Sequence, residues 1–202
     1  MESSNKPLRI LQIGMSTNYG GTEAFLMNLY KNIDRNKYQF DFLNVYDEPI
    51  ACQKEIESLG GHIYNLHLRR REDGLKKYKK GIKDFYNMHT FDIVSQNVQD
   101  LINIDMLKYA HRKGVPTIIH SHNSNYGMRN RLLTKLSILK NKLLIRKYVD
   151  KFLSCSKTSG LFTYGKRIKP LFVLNGIEVK NFVFKEEVRK KIRNEFNIDK
   201  EV

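Results

Sequence analysis

The feature that most constrains this chain is a regular alternation of short, β-rich apolar runs with longer stretches whose apolar residues recur every three to four positions. The first run, Leu8 to Met15, closes around Gly14 and passes through a loop holding Gly20 and Gly21. Thr22 and Glu23 then open a stretch in which Phe25, Leu29 and Ile33 lie four apart, the spacing of an amphipathic helix. Phe40, Phe42, Leu43 and Val45 form a second run, Ile56 and Leu59 belong to a short helix ending at Gly60-Gly61, and residues 62–66 form a third strand. The unit repeats as a stripe of Leu75, Tyr78, Ile82 and Phe85, a strand at 92–96, and a stripe of Leu101, Ile104, Leu107 and Ala110 closed by Gly114. A strand at 117–122, a long basic helix around 129–147, a strand at 152–156, a short helix near 157–164 and a strand at 171–174 complete the series. Strict alternation of this kind predicts a parallel sheet covered on both faces, because each parallel step needs a crossover helix. The expected architecture is doubly wound α/β.

A chain of 202 residues can bury one such domain well, and 41% apolar residues, with 11 Phe and 11 Tyr, exclude a disordered chain. No apolar run approaches the roughly 18 to 20 residues that a membrane span needs, and residues 1–7 are polar with no signal-peptide segment after them. The expectation is a protein that folds in the cytosol. Cys52 and Cys155 have no Cys or His at metal-ligand spacing and are expected to be reduced thiols.

The net charge of +15 is concentrated. Residues 69–83 carry eight Lys/Arg against Glu72 and Asp73, a net +6, and residues 129–151 carry eight against Asp150, a net +7. The second patch holds Arg129, Arg131, Lys135, Lys140, Lys142, Arg146 and Lys147 on a predicted helix whose Leu132, Leu133, Leu136, Leu139, Leu143 and Leu144 share one broad face. Three readings of that helix stand: a core helix with a solvated basic face, a helix lying against anionic lipid headgroups, or a nucleic-acid contact. Each basic residue near an anionic leaflet adds about 1 kcal/mol, so such a patch could hold a protein at a membrane without an anchor. Zinc-finger spacing, an RNP aromatic motif and a basic heptad region are all missing, which argues against nucleic acid.

Three places have the chemistry of a site. Gly20-Gly21 lies between a strand end and a helix start, where backbone amides are free and the helix dipole favours an anion, although it is not a dinucleotide-binding fingerprint. His120 and His122 close a central strand, where open α/β sheets place ligands, and their spacing projects both to one side. Asn175-Gly176 predicts a turn with positive φ after the last strand. Past Phe184 the pattern becomes a charged helix with Val188, Ile192 and Phe196 four apart and no strand after it, which needs a surface to pack on.

These segments are ordered as strand, Gly20-Gly21 and helix; Gly114-Val115-Pro116 leading to His120-Ser121-His122-Asn123; a strand ending in Ser154-Cys155-Ser156; and Val173-Leu174-Asn175-Gly176-Ile177-Glu178 with Phe182 beyond. As a set, spread over essentially the whole chain, they resemble glycosyltransferase family 4, the exopolysaccharide and capsule type included. The resemblance implies a Rossmann-like doubly wound sheet forming the N-terminal half of a two-domain GT-B fold. Residues 1–182 would be the acceptor-side domain and 183–202 a linker helix toward a missing C-terminal nucleotide-sugar-binding domain. Glu187 and Glu195 match the spacing of the family's glutamate pair, but they lie on the linker helix and are a chance match. The implied activity is retaining transfer of a sugar from a UDP- or GDP-sugar to a glycan or lipid-linked saccharide, this half alone being inactive.

By the same resemblance His122 is the active-site histidine, six residues on from Pro116, and hydrogen-bonds the donor sugar rather than acting as a nucleophile. Gly20, Gly21 and Thr22 would face the donor diphosphate, and His120, Asn123, Ser156, Asn175 and Gly176 would line the acceptor side of the cleft. No permanently bound cofactor, metal or nucleic acid is implied. The enzyme would be cytoplasmic, peripheral on the inner face of the plasma membrane. The alternative is a complete small basic module that docks on an anionic membrane or an acidic partner.

Overall fold

The computed structural model describes residues 6–68, 72–125 and 132–198. Seven strands form one sheet: β1 (Leu8–Ile13), β2 (Tyr38–Asn44), β3 (Ile63–Asn65), β4 (Ile93–Val98), β5 (Thr117–Ser121), β6 (Lys151–Ser154) and β7 (Leu171–Phe172). Every pairing is parallel, and the order is β3-β2-β1-β4-β5-β6-β7. Strand order reverses between β1 and β4, so the carboxyl ends of these two strands flank a crevice. The connecting helices are α1 (Gly21–Asn32), α2 (Gln53–Ser58), α3 (Gly74–Met88), α4 (Asp105–Arg112), α5 (Leu132–Tyr148) and α6 (Lys157–Tyr164), and a 3-10 turn (Val179–Phe182) leads to α7 (Glu186–Glu195). This is the doubly wound, Rossmann-like α/β architecture that the alternation predicts.

Strand alternation divides the core between two faces. Leu11, Ile13, Val94, Val98 and Ile119 face Tyr78, Ile82 and Phe85 of α3, Leu107 and Ala110 of α4, and Ile138 and Ile145 of α5. Phe40, Phe42 and Ile63 pack with Phe25, Leu26, Met27 and Tyr30 of α1 and Ile56 of α2 on the other. The basic helices α3 and α5 therefore lie on one side of the sheet, since both contribute to the first cluster.

The structure decides which face of the basic helix meets the core, a point on which three readings stood, and corrects the expected turn at Asn175-Gly176. The leucine face of α5 does not enter the core: Leu132, Leu133, Leu136, Leu139 and Leu143 are 52–78% exposed, while Ile138, Asn141 and Ile145 are buried. Asn141 decides the rotation of the helix, because its Nδ2 donates to the carbonyls of Leu101 (2.7 Å) and Ile102 (3.0 Å), which a leucine could not satisfy. The Asn175-Gly176 turn also lacks positive φ at either residue. That segment is held by a long-range bond, from Asn28 Nδ2 on α1 to the Gly176 carbonyl at 2.9 Å, rather than by a local left-handed turn. Arg69, Arg70, Arg71, Arg129 and Arg131 lie outside the described residues.

Candidate functional site

The site is built from the carboxyl ends of β1, β4 and β5. Gly14, just past β1, has φ +117°, and a β-carbon there would collide with the Asn97 carbonyl oxygen. The backbones of β1 and β4 meet at this point only because residue 14 is glycine.

Asn97 is 7% exposed, and its Nδ2 donates to the Ile13 carbonyl (3.3 Å) and to Gln12 Oε1 (3.1 Å). With Nδ2 so committed, Asn97 Oδ1 faces His122 Nε2 at 2.9 Å as the acceptor, which places the ring proton on Nε2. His122 Nδ1 is then left as a lone pair, buried and with no hydrogen-bond partner among the described residues. Burial lowers the His122 pKa to about 4, against a smaller opposing pull from Glu23, so the ring is neutral at pH 7.

His120 lies beneath it. The two rings are 4.1 Å apart and both pack on Phe25, at 4.7 Å for His120 and 5.1 Å for His122. Only 2% of His120 is exposed, and burial followed by the neighbouring His122 lowers its pKa to about 3. His120 supports His122 from within the core and does not line the cleft.

The glycine loop is shaped by Glu23, a residue that sequence reasoning placed only at the helix start. Its buried carboxylate accepts Ser16 N–H (2.8 Å), Ser16 Oγ–H (2.9 Å) and Gly20 N–H (3.0 Å). The amides of Gly21, Thr22 and Glu23 begin α1 without intrahelical acceptors. The Glu23 charge at the same helix terminus offsets the dipole's pull on a second anion. A β-carbon at Gly21 would meet nothing within 4 Å, so that glycine leaves open space that neither the backbone nor the packing requires.

A cavity of about 320 Å³ lies over this arrangement, lined in part by Gly20, Gly21, Thr22, His122, Asn123 and Asn175. Gln99, Ser16 and Tyr19 contribute to the same wall. The structure thus brings the glycine loop, His122 and the loop after β7 into one concavity. Gly176 adjoins it through its bond to Asn28. Ser156 does not line it: its Oγ caps α6 by accepting Ser159 N–H at 3.1 Å. Lys135, Lys140, Lys142, Arg146 and Lys147 are on α5, away from the cavity, and Lys142 Nζ donates to the Phe162 carbonyl at 2.9 Å. Among the described residues no cluster of three or more His, Cys, Asp or Glu forms a candidate metal site. Both cysteines are free thiols.

Asn97, Gln12, Glu23 and Asn28 hold the candidate site together and were not singled out from the sequence. The signal for Asn97 was a polar Gln96-Asn97 pair at the end of an otherwise buried strand. Gln12 and Asn28 lie 85 and 148 residues from the groups they hold, whereas Glu23 reaches Ser16 and Gly20 only seven and three residues away.

No family model matches the chain. It is 29% identical over 187 residues to the Bacillus subtilis protein named "Putative glycosyltransferase EpsF", an alignment spanning 90% of this chain and 48% of that one. The chain thus spans about half the length of the curated relative it matches. Among solved structures, Anabaena Alr3699/HepE in complex with UDP-glucose superposes with TM-score 0.68 at 13% identity, covering 94% of this chain and 50% of that one. Acinetobacter baumannii MurG gives TM-score 0.56 at 11% identity over 85% of this chain and 46% of its own. Staphylococcus aureus MnaA with UDP gives 0.55 at 9% identity over 94% and 51%. The fold is therefore the one found in half of a GT-B protein, and in sequence the chain is similar to the "Putative glycosyltransferase EpsF".

Proposed function

We propose that this chain is the acceptor-side half of a retaining, Leloir-type glycosyltransferase of family 4, which moves a sugar from a UDP- or GDP-sugar to a glycan or lipid-linked saccharide in polysaccharide biosynthesis. The observation that carries the reading is the convergence of the Gly20-Gly21 loop, neutral His122 and Asn175 on one concavity at the strand-order reversal. Similarity to EpsF, a protein about twice as long, supports it.

In this reading His122 is a hydrogen-bond partner for the donor sugar. Nε2–H is committed to Asn97, and the remaining lone pair on Nδ1 can only accept, which suits a sugar hydroxyl. A neutral ring also adds no charge beside the acceptor. Asn123 and Asn175 supply amide groups suited to saccharide hydroxyls on the same wall. With Glu23 already at the mouth of α1, the open space above Gly21 favours a close-approaching sugar over a second full anionic charge.

The C-terminal segment supports a second domain. Phe182, Phe184, Val188, Ile192 and Phe196 are 44–70% exposed, and no residue of α7 is buried. A helix with a regular apolar stripe and nothing upon it is stabilised by a partner surface. We assign that surface to a nucleotide-sugar-binding half, with 183–202 as the link.

The test is NMR titration of the isotope-labelled chain with oligosaccharides and with UDP- and GDP-sugars, together with sugar transfer by the chain extended to the length of its relative. Saccharide-induced shifts at Gly21, Thr22, His122 and Asn175, and loss of transfer in His122→Ala, are expected. Turnover of nucleotide-sugars by the 202-residue chain alone would overturn the half-enzyme reading.

A further inference from the structure

We propose that Tyr19 is a stacking platform for an uncharged pyranose in the cavity above the glycine loop, and that this cavity selects uncharged sugars over anionic ones. The inference rests on the saccharide-binding reading of that cavity and names the class of sugar it takes.

Tyr19 differs from the buried tyrosines of the domain. The hydroxyls of Tyr30 and Tyr164 donate to the carbonyls of Leu59 (3.1 Å) and Leu153 (2.8 Å), and that of Tyr78 accepts from Asn103 Nδ2 (2.6 Å). Tyr19 is 64% exposed, lies on the cavity wall and makes no hydrogen bond or ring contact among the described residues. Neither packing nor hydrogen bonding within the domain accounts for a large aromatic side chain at that position.

The backbone on both sides of Tyr19 is nevertheless fixed. Ser16 Oγ–H is shared between Glu23 and the Asn18 carbonyl, 2.9 Å from each, and the Gly20 amide donates to Glu23 at 3.0 Å. The Ser16 carbonyl in turn accepts Ala51 N–H at 2.8 Å. A rigid ring on a tethered loop loses little freedom when a ligand covers it. Gly20 and Gly21 follow directly, and a β-carbon at Gly21 would meet nothing within 4 Å, so a ligand stacked on Tyr19 can extend over bare backbone.

The rest of the wall selects a sugar. Asn18, Gln99, Asn123 and Asn175 bring neutral amides to the cavity, and His122 adds the buried, unpartnered Nδ1. Asn123 Oδ1 accepts Ser124 N–H at 2.8 Å, which leaves its Nδ2 to donate. Hydroxyl groups both donate and accept, so a polyhydroxylated ring matches amides and a lone pair together. A pyranose also has an apolar C–H face, whose partial positive charge packs on the negative face of a tyrosine ring.

Charge decides between an uncharged sugar and an anionic one. The chain holds 36 Lys and Arg, yet among the described residues none of them lines this cavity. Glu23 lies on its wall and the His122 ring is neutral at pH 7. A carboxylate entering here would meet the Glu23 charge with no cation to offset it. The same wall disfavours a nucleotide base on Tyr19, because its phosphate would follow it into the cavity.

The experiment is NMR titration of the 202-residue chain with methyl β-D-glucopyranoside and methyl β-D-galactopyranoside, and with glucuronic acid and UMP as anionic probes. Upfield shifts of the pyranoside C–H protons are expected, with at least one pyranoside binding about tenfold or more tighter than either anion. Tyr19→Ala should lower its affinity about tenfold and Tyr19→Phe should retain it, both with an unchanged melting temperature, since the side chain is exposed. Glu23→Gln should narrow the preference over glucuronic acid. The proposal is overturned by unchanged affinity in Tyr19→Ala, by equal losses in Tyr19→Ala and Tyr19→Phe, or by tighter binding of glucuronic acid or UMP. Pyranoside shifts at Gly21, His122 and Asn175 that persist in Tyr19→Ala at full affinity would overturn the platform and leave the saccharide-binding reading standing. Absence of shifts at all three positions with every sugar would overturn both.

Discussion

The paired buried histidines, His120 and His122, should make the fold acid-labile in a defined window. An exposed or unfolded histidine titrates near 6.5, whereas burial lowers His120 to about 3 and His122 to about 4. The folded state thus prefers the neutral rings. Their contribution is fully present above about pH 6.5 and is lost as the pH falls from there toward the folded values, because the unfolded chain takes up protons that the folded one refuses. At pH 4.5 each ring would cost about 2 to 3 kcal/mol relative to pH 7, a large share of the stability of an ordinary domain. Carboxylates begin to protonate in the same range, so the histidine term is isolated by a difference. His120→Met keeps the volume, removes one titrating group and removes a buried Nε2 that has no partner among the described residues. Urea denaturation at pH 7 and pH 4.5 should show about 2 kcal/mol less acid loss in His120→Met than in the unaltered chain. Equal losses in the two proteins would refute the reasoning, as would a His120 or His122 resonance titrating near 6.5 in the folded state.

Three further outcomes follow from the same site. Gly14→Ala forces a β-carbon against the Asn97 carbonyl at φ +117° and should cost about 3 kcal/mol in urea denaturation, with the His122 ring resonances displaced. Glu23→Gln replaces one accepting oxygen by a donor facing Ser16 or Gly20, so a loss of about 1 to 2 kcal/mol and faster amide exchange across 16–20 are expected. Gly21→Ala should leave the melting temperature unchanged or slightly raised, since nothing lies within 4 Å of the new methyl, yet weaken saccharide binding about tenfold by calorimetry. Unchanged affinity in Gly21→Ala would remove the glycine loop from the ligand's path.

Much of the architecture is legible in the residues because it rests on periodicity. Strand runs and helical stripes set the order of elements to within a few positions; β4, expected at 92–96, runs Ile93–Val98, and α6 lies at Lys157–Tyr164 as expected. The pairing of His120 with His122 is equally local, since side chains two apart on a strand share a face. Ser156 shows the limit of such reading. A serine at a strand end suits a cleft or a helix cap equally, and the cap took it.

From the sequence alone come the alternation, the two charge clusters and the candidate loops at strand ends, since each depends on neighbours in the chain. Tertiary structure alone decided which face of α5 is buried, because leucines outnumber the inward residues and it is the Leu101 and Ile102 carbonyls, 40 and 39 residues away, together with the Lys108 ammonium, that select Asn141. It likewise decided the His122 tautomer, through Asn97 and the Ile13 carbonyl, and the placement of Gly176, through Asn28. Hydrogen bonds between distant segments carry no periodic trace, so the chemistry of the cleft and the exposure of the leucine stripe emerge only when the sheet is assembled.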